Sequence, residues 1–306
     1  MNARDALVLG RVSNLPTVWS NVLAGMALAC AGLADAGVTD DGLADALPAP
    51  LPLLAALLPA LSLAYVAGMY LNDAFDAAID RRERPERPIP SGRVPRRTVF
   101  AAGFAMLAAA LALLALVGLA GVTGGPAWAP FAAGAVLCVA IVAYDAWHKA
   151  NPLAPVLMGL CRALVYVTAA VAFASLTSTV VVGACILWAY LIGLTYAAKE
   201  ESLNRIGHAW PLAFLLVPIV YGFLFVAGSL LAALIWIGFV VWTGIAVRRL
   251  FRRRPGDVPR AVAALLAGIC LLDALIITVE GLPGLALVAV ALFALTLLLQ
   301  RFVPAT

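Results

Sequence analysis

The chain has 306 residues, 64% of them apolar and only 12% charged, with a formal net charge of +4. A water-soluble domain is nearer half apolar and a quarter charged, so these proportions exclude a soluble globular fold and indicate one membrane domain over 1–306. The basic residues sit in short segments between apolar runs, which argues against nucleic-acid binding.

Taken in chain order, residues 1–36 have the outline of a signal peptide. Arg4 and Arg11 precede an apolar stretch, and Ala34-Asp35-Ala36 resembles a cleavage site. The spans that follow make this stretch read instead as the first membrane helix. A membrane helix takes about 20 mostly apolar residues. Ten runs come close: 15–34, 51–71, 98–119, 128–144, 153–174, 179–198, 209–227, 229–247, 261–280 and 283–301. The connections at Gly228 and Pro283 are so short that either pair could be one broken helix. The expected fold is therefore all-α, a polytopic transmembrane bundle of nine or ten spans around a central cavity.

The charges alternate with the spans. Counted from the N-terminus, the even loops hold Arg81 to Arg97, Lys149, Lys199 with Arg205, and Arg248 to Arg260. Arg4, Arg11 and Arg301 lie at the two ends, and the first odd loop carries Asp35, Asp40, Asp41 and Asp45. Lys and Arg accumulate on the cytoplasmic side. Ten spans then place both termini in the cytoplasm, in a multi-pass inner-membrane protein.

The second run ends in Asn72-Asp73-Ala74-Phe75-Asp76-Ala77-Ala78-Ile79-Asp80, followed by Arg81-Arg82-Glu83-Arg84-Pro85-Glu86-Arg87-Pro88-Ile89-Pro90-Ser91-Gly92. Asn72, Asp76 and Asp80 are four apart and share one helical face, with Asp73 beside the stripe. Carboxylate and amide oxygens suit Mg²⁺, a hard cation that bridges protein to substrate phosphates. The arginines that follow match phosphate oxygens in a two-pronged geometry. Asn72, Asp73, Asp76 and Asp80 are thus candidate metal ligands at a diphosphate site. A solvated helix end beside a positive loop would explain the charges, but not why the acids share a stripe at the mouth of an apolar bundle.

This stretch resembles the first aspartate-rich motif of the UbiA superfamily of intramembrane prenyltransferases, an Asn-Asp-x-x-Asp-x-x-x-Asp run followed by Arg-Pro-x-Arg-Pro-(Ile/Leu)-Pro-Ser-Gly. The resemblance implies that Asp73, Asp76 and Asp80, with Asn72, bind Mg²⁺ and a prenyl diphosphate, and that Arg87 contacts the diphosphate. Arg11-Val12-Ser13-Asn14, with Asn21 to Gly25, resembles the start of the family's first helix and makes Asn14 a substrate-binding candidate. Tyr144-Asp145-Ala146-Trp147-His148-Lys149 is similar to the family's Tyr-x-x-x-x-Lys segment, implying Tyr144 for binding and Lys149 for catalysis beside Asp76 and Asp80. Met158-Gly159-Leu160-Cys161-Arg162 is similar to one branch, the EboC-like proteins of bacterial secondary-metabolite clusters, and adds Arg162.

Family members carry a second Asp-x-x-x-Asp after the sixth span. Aligned on Tyr196, its positions here are Glu200 and Asn204. The spacing survives and one charge is lost. Both residues remain candidate metal ligands, with Lys199 supplying charge at the phosphate and Tyr196 binding substrate. His148 and His208 receive no role from the sequence. The five cysteines lie inside apolar runs without metal spacing and read as small core residues. Asp273, near mid-membrane, is expected to pair within the bundle.

What the resemblance implies is transfer of a prenyl group from an isoprenoid diphosphate to an unidentified acceptor within the lipid bilayer. Mg²⁺, Arg87, Lys149 and Lys199 would neutralise the leaving diphosphate. Tyr65, Tyr70, Tyr144, Tyr166 and Tyr196 would offer ring faces to the carbocation. Two rival expectations are a non-catalytic prenyl-lipid binder or transporter, and a terpene cyclase on the same scaffold.

Overall fold

A computed structural model describes residues 1–35, 37, 50–149, 151–199, 209–252 and 254–305. Every regular element among them is helical. A short helix α1, Ala3–Leu9, leads into α2, Leu15–Asp35. Then follow α3, Pro50–Glu83; α4, Arg96–Leu119; α5, Ala129–Trp147; α6, Ala154–Phe173; and α7, Ser178–Ala198. The last four are α8, Leu216–Phe225; α9, Leu230–Arg252; α10, Asp257–Val279; and α11, Pro283–Leu299. Among the described residues nine helical segments are long and apolar enough to cross a membrane, and α11 is a shorter apolar helix. The connections at Gly228 and Pro283 thus separate distinct helices.

The physical reason for an all-helical chain is that lipid offers backbone N–H and C=O groups no partner, so each span must satisfy its own. Prolines mark several helix starts, where a missing N–H costs nothing: Pro130 in α5, Pro155 in α6 and Pro283 in α11. The largest departure from the expected spans is α3. Hydropathy ends that span at 71, but the helix runs on to Glu83. Its last three turns leave the apolar layer still helical and carry the acidic stripe with them. The chain then meets Pro85, and Arg81 and Arg82 in the last turn suit the helix C-terminal dipole.

Consecutive helices from α3 to α7 pack side by side, and α9, α10 and α11 do the same. Helix α2 joins these two sets, touching α3, α6, α7, α10 and α11. The close approach of α2 to α6 requires Gly25, where an added Cβ would lie 2.7 Å from the Tyr166 carbonyl oxygen. One core runs through the bundle, from Val18 and Leu28 on α2 to Tyr190 on α7 and Leu272 on α10. Cys138, Cys161 and Cys270 belong to the buried set as expected, whereas Cys185 faces outward on α7.

A second, smaller cluster lies at one end of the bundle. Leu9, Tyr70, Ala74, Ile89, Val94 and Val99 pack together there, so α1 and the loop after α3 are seated on α3 and α4. Arg93 Nε donates to Asp5 Oδ1 at 3.0 Å, and Arg96 Nε donates to the Ala74 carbonyl at 2.7 Å. Within the loop the Ser91 hydroxyl and N–H both donate to the Arg87 carbonyl. Gly92, at φ +77°, takes the turn that other residues resist. The Arg-Pro-Ile-Pro-Ser-Gly loop is therefore a fixed platform, and Arg87 stands on it.

Candidate active site

A cavity of about 280 Å³ opens at this same end of the bundle. Its wall is assembled from most of the chain's basic-loop ends. Helix α3 supplies Asn72, Asp76 and Asp80, and the loop after it supplies Arg84 and Arg87. Arg11 and Asn14 come from the segment before α2, Tyr144, His148 and Lys149 from the end of α5, Arg162 from α6 and Lys199 from the end of α7. The four-residue spacing read from the sequence thus places Asn72, Asp76 and Asp80 on one wall.

Each acid already has cationic company. Lys149 Nζ lies 3.0 Å, and His148 Nε2 3.2 Å, from Asp76 Oδ2. Arg87 Nη1 reaches Asp80 Oδ2 at 3.0 Å and Asp73 Oδ1 at 3.2 Å. Asp73 also receives Arg11 Nη2 at 3.1 Å. Asp76 and Asp80 are only 5% and 3% exposed, so the Arg87 pair with Asp80 is shielded from solvent and counts for more than a surface ion pair, while Lys149 reaches Asp76 from a half-exposed position. Arg11, at φ 42°, has a backbone conformation rare for a non-glycine residue, and its side chain is aimed at the motif.

Among the described residues no three His, Cys, Asp or Glu side chains form a metal cage. The oxygens on this wall fit the other kind of Mg²⁺ site, in which one or two carboxylates and substrate phosphates share the ion. Asp76 and Asp80, with the Asn72 amide, are the residues placed for it. Asp73 is not on the cavity wall. It is committed to Arg11 and Arg87, and its position suits it to holding those two guanidinium groups.

The other expected residues divide. Asn14, Tyr144, Arg162, Lys149 and Lys199 line the cavity. Tyr196 does not: its hydroxyl donates to the Pro152 carbonyl at 3.1 Å and its ring lies beside Trp210. Of the aromatic candidates, Tyr65 and Tyr144 are on the wall. Tyr70 donates to the Ala6 carbonyl and Tyr166 to Asp273, both away from the cavity. Glu200, Asn204 and His208 lie outside the described residues.

Two site residues were missed by the sequence reading. His148 stacks on Tyr144 with ring centroids 4.9 Å apart and contacts Asp76. Its four-residue spacing from Tyr144 was the available signal. Asp145 is 4% exposed and accepts a hydrogen bond from Asn72 Nδ2 on its Oδ1, at 3.1 Å.

Beneath the cavity is a network of buried polar groups. Asp273 of α10 accepts from the Ser20 hydroxyl and from Asn21 Nδ2, both on α2, and from the Tyr166 hydroxyl on α6. Asn21 Oδ1 in turn accepts from Arg162 Nη1 at 3.0 Å, and Thr17 Oγ1 accepts from Arg162 Nη2 at 3.1 Å. The guanidinium lies 5.1 Å from the Tyr65 ring centroid. The pairing expected of Asp273 is present, and it ties three helices together while holding Arg162 at the cavity. Asp273→Leu would leave three buried donors without their acceptor and free the Asn21 amide that holds Arg162. A loss on the order of 3 kcal/mol follows, read as an earlier thermal transition in detergent. A transition unchanged in the Leu variant would show that the network carries no structural weight.

Comparison with known proteins bears on this geometry. Residues 18–261 match the model of the UbiA prenyltransferase family. A 56-residue segment is 46% identical to digeranylgeranylglyceryl phosphate synthase of Methanoregula boonei, covering 18% of this chain and 20% of that protein. The matched segment is thus about a fifth of the relative's length. The apo structure of a UbiA homolog from Aeropyrum pernix superposes with a TM-score of 0.62 at 18% identity, over 89% of this chain and 98% of that one. A UbiA homolog from Archaeoglobus fulgidus bound to GPP and Mg²⁺ superposes with a TM-score of 0.57 at 14% identity, over 90% and 99%. At these identities the likeness is one of fold.

Proposed function

This chain belongs to the UbiA prenyltransferase family, and from that premise we propose that it transfers a prenyl group from an isoprenoid diphosphate to an acceptor within the membrane. The observation that carries the reading is a cavity in which the Asn72-Asp76-Asp80 stripe meets cations from five separate segments. A cavity with that donor set, at the end of an apolar bundle, suits a molecule with a diphosphate head and a hydrocarbon tail. The family's solved member bound to GPP and Mg²⁺ supports the same substrate class.

In this reading Asp76 and Asp80, with the Asn72 amide, would be the residues that hold Mg²⁺. When bound, the ion would withdraw charge from the leaving oxygens. Arg87, Lys149 and Lys199 grip the remaining phosphate oxygens and steady the charge that grows as the allylic C–O bond breaks. The electron pair of that bond leaves on pyrophosphate. The acceptor forms the new bond to the same carbon and gives up a proton. Tyr65 and Tyr144 offer their ring faces to the cationic carbon, and the closely packed spans exclude water. Glu200 and Asn204, by their four-residue spacing alone, remain candidates for further oxygen ligands.

The test is comparative. Lipids from cells producing the chain should contain a prenylated species absent from cells producing Asp76→Ala, seen by mass spectrometry. Pyrophosphate release without any acceptor would favour cyclisation instead, and identical lipid profiles would favour a binder or transporter.

We also place the cavity end on the cytoplasmic side of a bacterial inner membrane, with both termini there, because the basic loops gather at that end. Single cysteines at Gly121 and at Arg97, introduced on a cysteine-free background, should react with an impermeant reagent from opposite sides. Labelling of both from one side would refute the orientation.

A further inference from the structure

Next to the main cavity is a recess of about 50 Å³. The two share Tyr65, Tyr144, Met158 and Arg162 as a common wall. The rest of the recess is largely apolar, from Val18, Leu61 and Ile141 among others. One polar atom stands apart from that lining. Asp145 lines the recess, and its Oδ2 is buried without a hydrogen-bond partner among the described residues. Its other oxygen is engaged by Asn72, so the carboxyl group is held fixed.

A buried carboxyl oxygen without a hydrogen-bond partner is costly. A prenyl tail would make this worse, since hydrocarbon would cover the oxygen and offer it nothing. A neutral hydroxyl supplies what is missing: an O–H donor on an otherwise apolar body. The nearby Arg162 does not fill the need, because its guanidinium donates to Asn21 and Thr17. Arg162 also extends the shared wall from the recess to the diphosphate cavity. A group seated beside Asp145 therefore sits one side chain from where the donor's diphosphate would lie.

From this arrangement we infer that the recess is the acceptor subsite and that Asp145 Oδ2 selects an acceptor bearing a neutral hydroxyl group. The inference rests on the prenyl-transfer reading and adds the substrate class. Asp145 acts here as a binding residue that sets acceptor specificity, distinct from the donor-binding stripe on α3. Sites built to hydrogen-bond a hydroxyl reject analogues lacking it by up to about 10⁴-fold. A discrimination of at least about 10-fold is expected even for a partial acceptor that fills only this recess.

The experiment uses a matched pair of membrane-soluble molecules, 1-O-octylglycerol and its di-O-methyl ether. Their binding is measured on the full chain in lipid nanodiscs, with Mg²⁺ and geranyl thiolodiphosphate present as a slow-reacting donor analogue. The unaltered protein should bind the alcohol at least about 10-fold more tightly than the ether. Asp145→Asn should remove or invert that preference. Its Oδ1 must still accept from Asn72, so its amide N–H₂ takes the place of Oδ2, and an ether oxygen can accept from it. Geranyl diphosphate binding is followed on the same samples. Equal binding of alcohol and ether by the unaltered protein overturns the inference, and so does an unchanged preference in Asp145→Asn. Loss of geranyl diphosphate binding in Asp145→Asn also overturns it, because that would place the residue in the donor site. If the unaltered protein discriminates alcohol from ether yet binds no geranyl diphosphate, the prenyl-transfer reading fails and the hydroxyl subsite stands.

Discussion

Alanine at Asp76 or Asp80 should weaken Mg²⁺-dependent binding of geranyl diphosphate on the order of 10³-fold, equivalent to about 4 kcal/mol. Both carboxylates are on the cavity wall, almost wholly shielded, and supplied by one rigid helix. A hard divalent ion shared with a diphosphate has few protein ligands, so losing one removes a large part of its coordination. The fold should survive. Without Asp76, Lys149 and His148 remain at the cavity mouth, where Lys149 is already half exposed. Without Asp80, Arg87 keeps Asp73. Direct binding measurements, with membrane insertion checked in parallel, decide the matter. Normal binding by both variants would remove the metal site from this stripe. Asp73→Ala should have a smaller effect, because that residue acts through Arg11 and Arg87.

Arg87→Ala should lower geranyl diphosphate affinity by about 10² to 10³-fold and also destabilise the protein, by up to about 3 kcal/mol. The stability loss arises because Asp80 and Asp73 together lose one guanidinium, and both are buried. The lysine variant separates the two effects. Arg87 meets both acids through the single nitrogen Nη1, which an ammonium can imitate. The two-pronged grip on phosphate cannot be imitated that way. Arg87→Lys should therefore restore most of the thermal stability and leave affinity at least about 10-fold reduced. Full recovery of affinity in the lysine variant would mean that Arg87 serves the carboxylates alone.

The bundle was legible in the sequence because lipid imposes one rule on every span. Runs of about 20 apolar residues have almost no other use, and α4, α5, α6 and α7 lie close to where hydropathy put them. The acidic stripe was legible for a related reason: four-residue spacing fixes a helical face regardless of surroundings. What the spacing could not give is which way α3 is rotated against its neighbours. That rotation sends Asp73 to Arg11 and Arg87 and turns Asn72 to Asp145. His148 was overlooked because a ring at a membrane boundary is unremarkable until Asp76 is found beside it. Tyr196 failed in the opposite sense. Its resemblance to the family motif said nothing of its surroundings, where its hydroxyl donates to the Pro152 carbonyl.

With Lys149 on Asp76, and Arg87 on Asp80 and Asp73, the cations fit to grip a diphosphate are the ones already neutralising the acids. Inorganic phosphate arriving alone would draw those cations away and strand the carboxylates. A divalent ion arriving alone would displace the cations and leave them crowded together. Only when both arrive do all the charges find partners again. The two ligands are thus thermodynamically linked, and whatever factor one adds to the affinity of the other is returned in full. Under the proposed function the mouth would act as an exchanger of salts, indifferent to free anions and responsive to the ion-paired diphosphate as a unit.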